Sequence, residues 1–369
     1  MKKIVILVDQ LNSHGGIEKL VAVKANYWAT VFDYEVTIIS TEQLGKPLIY
    51  SLSDKVKFID LGINYDREKS YFSISNALKF LSNVIKIQRY ILKEKPHFID
   101  VASHIPITYF LPFLYCKSKT IKEFHFTKFD RVKQTDFKSK VLNYIESKYD
   151  FLVVLSEEER SFYASNNTVV IPNPITNTHQ IQSATIEDNE NIAVAVVRFA
   201  AVKQLEKMIA IWCTFVATNP SWKLHIFGTT GNDYFKKIEE LVFKSNLQKS
   251  IIFKGQSDAI QNEIAKAKVV LITSEQECFP LVILEANSVG IPVISFDCPT
   301  GPRNIIHHKT DGILVEYDNC DSFVKELVAF DADTAYQKHL SKKAKENANK
   351  FSIEVIMNKW NDLIFTTYD

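Results

Sequence analysis

Residues 274–290 read SEQECFPLVILEANSVG and run at once into IPVISFDCPTGP. Glu277 and Glu285 stand at the two ends of an almost wholly apolar run, FPLVILEA. A carboxylate carried into an apolar setting without a partner is costly. Such a chain has therefore either left both acids in solvent or turned both onto a polar ligand. The preceding KVVLIT predicts a strand that ends just before Ser274, and PLVILEANSVG predicts a helix that begins near Pro280. Glu277 then lies in the loop after the strand and Glu285 on the second turn of the helix. The free N–H groups of that helix's first turn face the same place.

Working outward, short β-branched runs alternate with longer helical patterns from end to end. The first series is IVILV (4–8), EVTIIS (35–40), FIDVA (98–102), TIKEF (120–124) and FLVVL (151–155). A second begins after residue 190 with IAVAVV (192–197), KLHIF (223–227), SIIF (250–253), KVVLI (268–272), PVISF (292–296) and ILV (313–315). Near-continuous apolar strands separated by helices predict parallel sheets covered on both faces. Residues 74–95 and 233–246 have apolar residues at three- and four-residue spacing and predict helices. Between the two series, VVIPNPITNTHQIQSATIEDNEN (169–191) has the composition of a linker. The expected organisation is two doubly wound α/β domains, 1–172 and 173–350, with a ligand cleft between the C-terminal edges of their sheets. A terminal amphipathic helix, within 351–369, follows.

Composition narrows the function. Of 369 residues 46% are hydrophobic and 24% charged, a globular balance. The 44 basic and 43 acidic residues nearly cancel, so no overall field points to nucleic acid. Five scattered cysteines form neither a disulfide framework nor a zinc site and suit a reducing cytoplasm. The N-terminal IVILV is too short for a signal peptide and IPITYFLPFLYC (105–116) too short to span a bilayer, so a cytoplasmic, soluble chain is expected.

Three further stretches carry candidate chemistry. HGGIEK (14–19) follows the first strand and opens a helix; Gly15 and Gly16 there either let backbone amides approach an anion or simply form a tight turn. In VVRFAAVKQ (196–204), Arg198 sits at a strand end and Lys203 at a helix start. They are either ordinary surface cations or a pair converging on one phosphate. SFDCPTGPRNII (295–306) leaves its strand through a Pro- and Gly-rich loop that is an ordinary turn or a second wall for the same pocket. DAD (331–333) follows a helical pattern and predicts a loop and helix cap rather than a metal site. No metal is expected.

The order GGxE, Arg-x4-Lys, Glu-x7-Glu within SxxExFPxxxxE, then GP resembles the retaining family 4 glycosyltransferases of the GT-B fold. The resemblance covers essentially the whole second domain and thinly covers the first. It implies that Arg198 and Lys203 bind a donor diphosphate, Glu285 the ribose, and Glu277 the donor sugar. Phe279 would lie in the donor site. The amides of Gly16, Leu281 and Val282 would support phosphate or sugar, and the segment from Gly255 to Ser257 would meet the base. His125, in EFHFT, matches a histidine that such enzymes place near the reacting sugar. The implied reaction moves a sugar, with retention and without a metal or other cofactor, from a nucleotide-diphosphate sugar, UDP- rather than GDP-linked, to a glycan or lipid-linked acceptor hydroxyl. The setting is bacterial surface polysaccharide assembly. The terminal helix around Trp360 would brace the first domain. Members usually have glycine where this chain has Val197, Gln204 and Cys278, and often an acid where it has Asn304.

Residues 117–148 hold nine basic and four acidic residues among Phe124, Phe126, Phe129 and Phe137. This face is either a solvated helical surface or a contact with anionic lipid. Rival readings are a nucleotide-sugar epimerase on the same scaffold and a non-catalytic partner of another transferase. A dehydrogenase is disfavoured because no GxGxxG follows a strand.

Overall fold

The computed structural model describes residues 2–71, 73–129, 136–175, 186–257 and 259–365. The chain divides into two compact units, Met1–Thr176 with Ile356–Asp369, and Asn177–Val355.

The first unit runs β1 (Lys3–Val8), α1 (Gly16–Thr30), β2 (Glu35–Ser40), β3 (Val56–Asp60), α2 (Ile74–Glu94), β4 (Phe98–Val101), β5 (Lys119–Glu123), α3 (Phe137–Glu146), β6 (Phe151–Val154), α4 (Glu157–Arg160) and β7 (Thr168–Val170). Its strands form one parallel sheet in the order β3-β2-β1-β4-β5-β6-β7. β1 is buried from Ile4 to Val8, as a parallel strand covered on both faces must be. β3 and β7 were not expected. β3 is an edge strand whose VKFID carries Lys57 and Asp60 among its apolar residues, and two of β7's three residues fall inside the stretch that reads as linker. Of that linker, 176–185 lie outside the described residues.

The second unit runs β8 (Ile192–Val196), α5 (Leu205–Thr218), β9 (Lys223–Phe227), α6 (Asp233–Lys244), β10 (Ile251–Gly255), α7 (Ile260–Ile264), β11 (Val269–Ile272), α8 (Leu281–Ser288), β12 (Val293–Phe296), β13 (Ile313–Val315), α9 (Cys320–Ala332) and α10 (Thr334–Ala348). Its parallel sheet has the order β10-β9-β8-β11-β12-β13. Trp212, Phe215, Trp222, Phe296, Phe323 and Phe330 fill its core. The strand order reverses between β8 and β11, and loops leaving such a switch point diverge and open a crevice at the C-terminal edge. Asp333 caps α10 by accepting from the Tyr336 amide at 2.9 Å, which accounts for the DAD motif.

The last helix, α11 (Ile353–Phe365), returns to the first unit from Ile356 onward. Trp360 packs edge-on against Trp28 of α1 at 5.7 Å between ring centroids, and Tyr34 donates to Asn361 at 2.5 Å.

Candidate functional site

The two loops that leave the β8/β11 switch point carry the residues singled out in the sequence. Arg198 stands two residues past β8, exposed, and makes no ion pair or hydrogen bond among the described residues. Lys203 ends a 3-10 turn, Ala201–Lys203, just ahead of α5. From the loop after β11, Glu277 reaches back so that Lys203 Nζ lies 2.5 Å from its Oε1, and Ser274 Oγ donates to the same oxygen at 2.7 Å. The two loops are tied along their backbones too. Glu275 N donates to the Val202 carbonyl at 2.7 Å and Thr273 Oγ1 to the Lys203 carbonyl at 3.1 Å. A small cavity of about 10 Å³ lies between the strand ends, lined by Lys203, Thr273, Ser274, Glu277 and Val282 among others.

The GP loop closes on the same carboxylate-bearing loop. Glu277 and Thr300 form a parallel bridge, and Thr300 Oγ1 donates to the Glu277 carbonyl at 2.5 Å. Gly301 has no room for a side chain, since an added Cβ would lie 2.9 Å from the Glu277 carbonyl oxygen and nearer still to its side chain. Thr300 itself is held at φ 68°, a conformation that a β-branched residue adopts only under constraint. Asn304 donates to the Thr300 carbonyl, so its amide fastens this turn. Gln204 is the second strained residue here, at φ 46°, which explains why glycine is the easier residue at that position. Val197 and Cys278 are not in the left-handed region, so no such demand exists at either. Cys298 is buried between these loops; burial first and the Glu277 charge second push its thiol up to about 12.

α8 starts at Leu281 with Pro280 as its N-cap and no side-chain cap. The amides of Leu281 and Val282 make no backbone hydrogen bond among the described residues, leaving two donors at the positive end of the helix. Glu285 is nearly buried on the next turn. Phe279 is buried against Phe351, with ring centroids 5.7 Å apart, so its side chain is a packing element of this unit. Ser257 follows β10, which ends in Gly255 at φ 69°, and its Oγ accepts from Ala259 N at 3.3 Å. The structure thus brings Lys203, Glu277 and the start of α8 together around one crevice, with Arg198 exposed at its β8 side.

In the first unit, Gly15 caps α1 and Gly16 begins it. Ser13 Oγ and Gln10 Nε2 donate to the Glu18 carboxylate at 2.8 and 3.0 Å, which puts an acid in the first turn of that helix. Burial raises the Glu18 carboxyl above its ordinary range. His125 lies two residues past β5, its side chain almost covered, with Nε2 3.4 Å from Glu123 Oε2. Behind it is a cluster that sequence reasoning missed. Lys24 of α1, fully buried, is paired with Asp100 of β4 at 3.3 Å and, more closely, with Glu123 of β5. Its ammonium also sits 4.3 Å from the Trp360 ring centroid. Burial, and then the Glu123 charge, hold the Asp100 carboxyl well above its usual range. Burial works against ionised Glu123 as well, but Lys24 and His125 outweigh it and hold that carboxyl well below. Of the two carboxyls, Asp100 is the one that favours its proton and Glu123 the one that favours its charge beside Lys24. Lys122, also buried, donates to the Val101 and Ser103 carbonyls at 3.3 and 2.7 Å, and burial lowers it to about 8. The available signal was charge inside FIDVA and TIKEF, strands with both faces covered.

Comparison with known proteins assigns this architecture. The model of the glycosyl transferases group 1 matches residues 176–347, the unit that holds the Lys203–Glu277 pair. That match spans the second unit, a little under half of the chain. The amylovoran biosynthesis glycosyltransferase AmsD of Erwinia amylovora is 25% identical over 99% of this chain and 100% of its own length. Among solved structures, a sucrose-phosphate synthase from Thermosynechococcus elongatus superposes with a TM-score of 0.83, at 19% identity over 100% of this chain and 99% of that one. The Anabaena protein HepE in complex with UDP and glucose superposes at 0.77, with 15% identity over 99% and 100% of the two chains. The protein is a GT-B glycosyltransferase, and AmsD, which it matches over its full length, is named for amylovoran biosynthesis.

Proposed function

We propose that this glycosyltransferase takes its sugar from a nucleotide-diphosphate sugar, UDP-linked in preference to GDP-linked, and transfers it with retention and without a metal to a hydroxyl of a glycan or lipid-linked glycan on the cytoplasmic side. The observation that carries the reading is the Lys203–Glu277 ion pair at the β8/β11 switch point. A cation beside a carboxylate at the mouth of a crevice matches the junction between a diphosphate and its sugar, where negative charge meets hydroxyl donors. Arg198, unpaired among the described residues, and the uncapped start of α8 add positive charge for the leaving phosphate. The UDP bound by HepE supports the choice of base.

In the proposed step the bond between the anomeric carbon and the β-phosphate oxygen breaks, and its electron pair stays on that oxygen. Arg198, Lys203 and the α8 amides stabilise the charge that develops there. The acceptor oxygen bonds to the anomeric carbon from the face the phosphate is leaving, and the acceptor's proton passes to the departing phosphate. Glu277 holds the donor sugar and Glu285 the ribose. His125, held beside Glu123, is the first-unit residue that the resemblance assigns to the sugar.

Nucleotide release from a panel of UDP- and GDP-sugars, with and without EDTA, tests this. One donor should be turned over insensitively to EDTA, and Lys203→Ala should lower kcat/KM about 10²–10³-fold with an unchanged melting temperature. Unimpaired turnover in that variant would sink the phosphate assignment. Loss of activity in EDTA would sink the metal-free mechanism.

A further inference from the structure

Outside the site, the most unusual surface belongs to α2 and α3 of the first unit. α2 turns Asn76, Asn83, Ile87 and Ile91 to the interior. A surface helix with that buried face should be polar on the other side. Instead Ile74, Leu78, Leu81, Ile85 and Leu92 are exposed, Ile74 at 89% and Leu78 at 74%. Their spacing puts all five on one stripe along the helix, away from the core. α3 has no buried residue at all, and Phe137, Val141 and Tyr144 repeat the same pattern, with Phe137 exposed at 83%.

The two stripes are joined. Phe80 of α2 packs against Phe110 at 4.6 Å between ring centroids, and Gln88 exchanges hydrogen bonds with the backbone of Tyr115 at 2.8 and 3.1 Å. Phe113 stacks on Tyr144 of α3 at 6.3 Å. Phe110, Phe113 and Tyr115 are themselves exposed, so apolar surface is continuous from one helix to the other. Scattered exposed apolar residues need no explanation, but a contiguous face does.

Its charge selects the occupant. α2 carries four basic residues against Glu94 alone, and Arg89 and Lys93 border the stripe in exposed positions. Lys138 and Lys140 flank the stripe of α3, and Lys148 Nζ lies 4.8 Å from the Tyr144 ring. A second copy docking by two-fold symmetry would set these cations against their own images. Aliphatic and aromatic side chains edged by lysine and arginine fit the boundary between acyl chains and anionic headgroups. Among the described residues no helix is long and apolar enough to cross a membrane, so α2 would lie along the surface rather than span it.

We propose that the joined faces of α2 and α3 dock this protein on an anionic bilayer, with the apolar stripes in the acyl boundary and the basic flanks on phosphate headgroups. This goes beyond the 117–148 segment singled out in the sequence, of which 130–135 lie outside the described residues. It is independent of the donor chemistry.

The test is co-sedimentation of the full chain, without donor, with vesicles of phosphatidylcholine alone or mixed with phosphatidylglycerol. Binding should require phosphatidylglycerol and weaken as salt rises. Arg89→Glu with Lys93→Glu should reduce partitioning about tenfold or more, and Leu78→Gln with Leu81→Gln should do the same while melting like wild type. If the apolar pair fails to fold, the charge pair and the lipid and salt dependence of the wild type still decide. Three results would overturn the proposal. These are no binding to phosphatidylglycerol vesicles, binding indifferent to the charge reversal, and a wild-type dimer in sedimentation velocity that disappears in the apolar pair while vesicles are ignored.

Discussion

The two units handle ionic groups in opposite ways. In the second, Lys203 and Glu277 meet at the rim of the sheet on loops, with the lysine side chain 20% exposed. In the first, Lys24 at 2% exposure is sealed between Asp100 and Glu123 within the layers of the sheet. A rim pair adds little to stability, remains within reach of ligand and can exchange partners. A sealed pair has paid its desolvation already and is strongly destabilising to break from one side. Charges of the first kind are suited to bind something, and those of the second to hold a neighbouring group, here His125, in one place.

The largest expected effect follows from that difference. Lys24→Met strips the buried Asp100–Glu123 pair of its cation and should cost about 3–5 kcal/mol of stability. Lys203→Ala should cost under about 1 kcal/mol while removing activity. Equal melting temperatures in the two variants would break the comparison. Next, Gly301→Ala forces a methyl group into Glu277 and should destabilise by about 1–3 kcal/mol, with a loss of donor affinity measured by nucleotide titration. A variant with native stability and affinity would show that the two loops slide freely.

A smaller effect is read in pH. Lys122 is depressed to about 8 by burial, below its ordinary value of 10.5. Between those values the unfolded chain holds the proton and the folded chain does not, so this residue's contribution is present above 10.5 and is lost as pH falls through about 8. The stability of wild type relative to Lys122→Met should therefore rise across that window in denaturant titrations, and a flat difference would contradict the burial argument. Smallest is a labelling contrast. Cys213 is exposed and should take iodoacetamide, whereas the buried Cys298 thiol, raised to about 12, should stay unmodified until the protein unfolds.

Legibility in the sequence followed the same divide. The fold and the second unit's crevice could be read because near-continuous apolar strands announce a parallel sheet and because Glu277 and Lys203 belong to ordered motifs. Ser274 stood inside the SxxE spacing but took on meaning only with its hydrogen bond to Glu277. β3 and β7 escaped because edge strands need no apolar continuity, and β7 is three residues long. The Lys24 cluster escaped for a deeper reason. Its members come from α1, β4 and β5, far apart in sequence, and no local pattern relates Lys24 to Asp100 or Glu123. The stripe of α2 was legible as amphipathic periodicity, but which face met the core was not.

The return of the last helix has a consequence for how the molecule is made. Lys2 Nζ donates to the Ile364 carbonyl across 362 positions of sequence, and Trp360 covers the buried ammonium of Lys24. On the ribosome, the first unit emerges early yet lacks the ring that covers this cation, and it waits through synthesis of the whole second unit to receive it. Domains that emerge first ordinarily finish folding first. Here the nascent first unit stays incomplete until the second has been made, and a ribosome that stalls within the second unit leaves behind a first unit without the ring over Lys24.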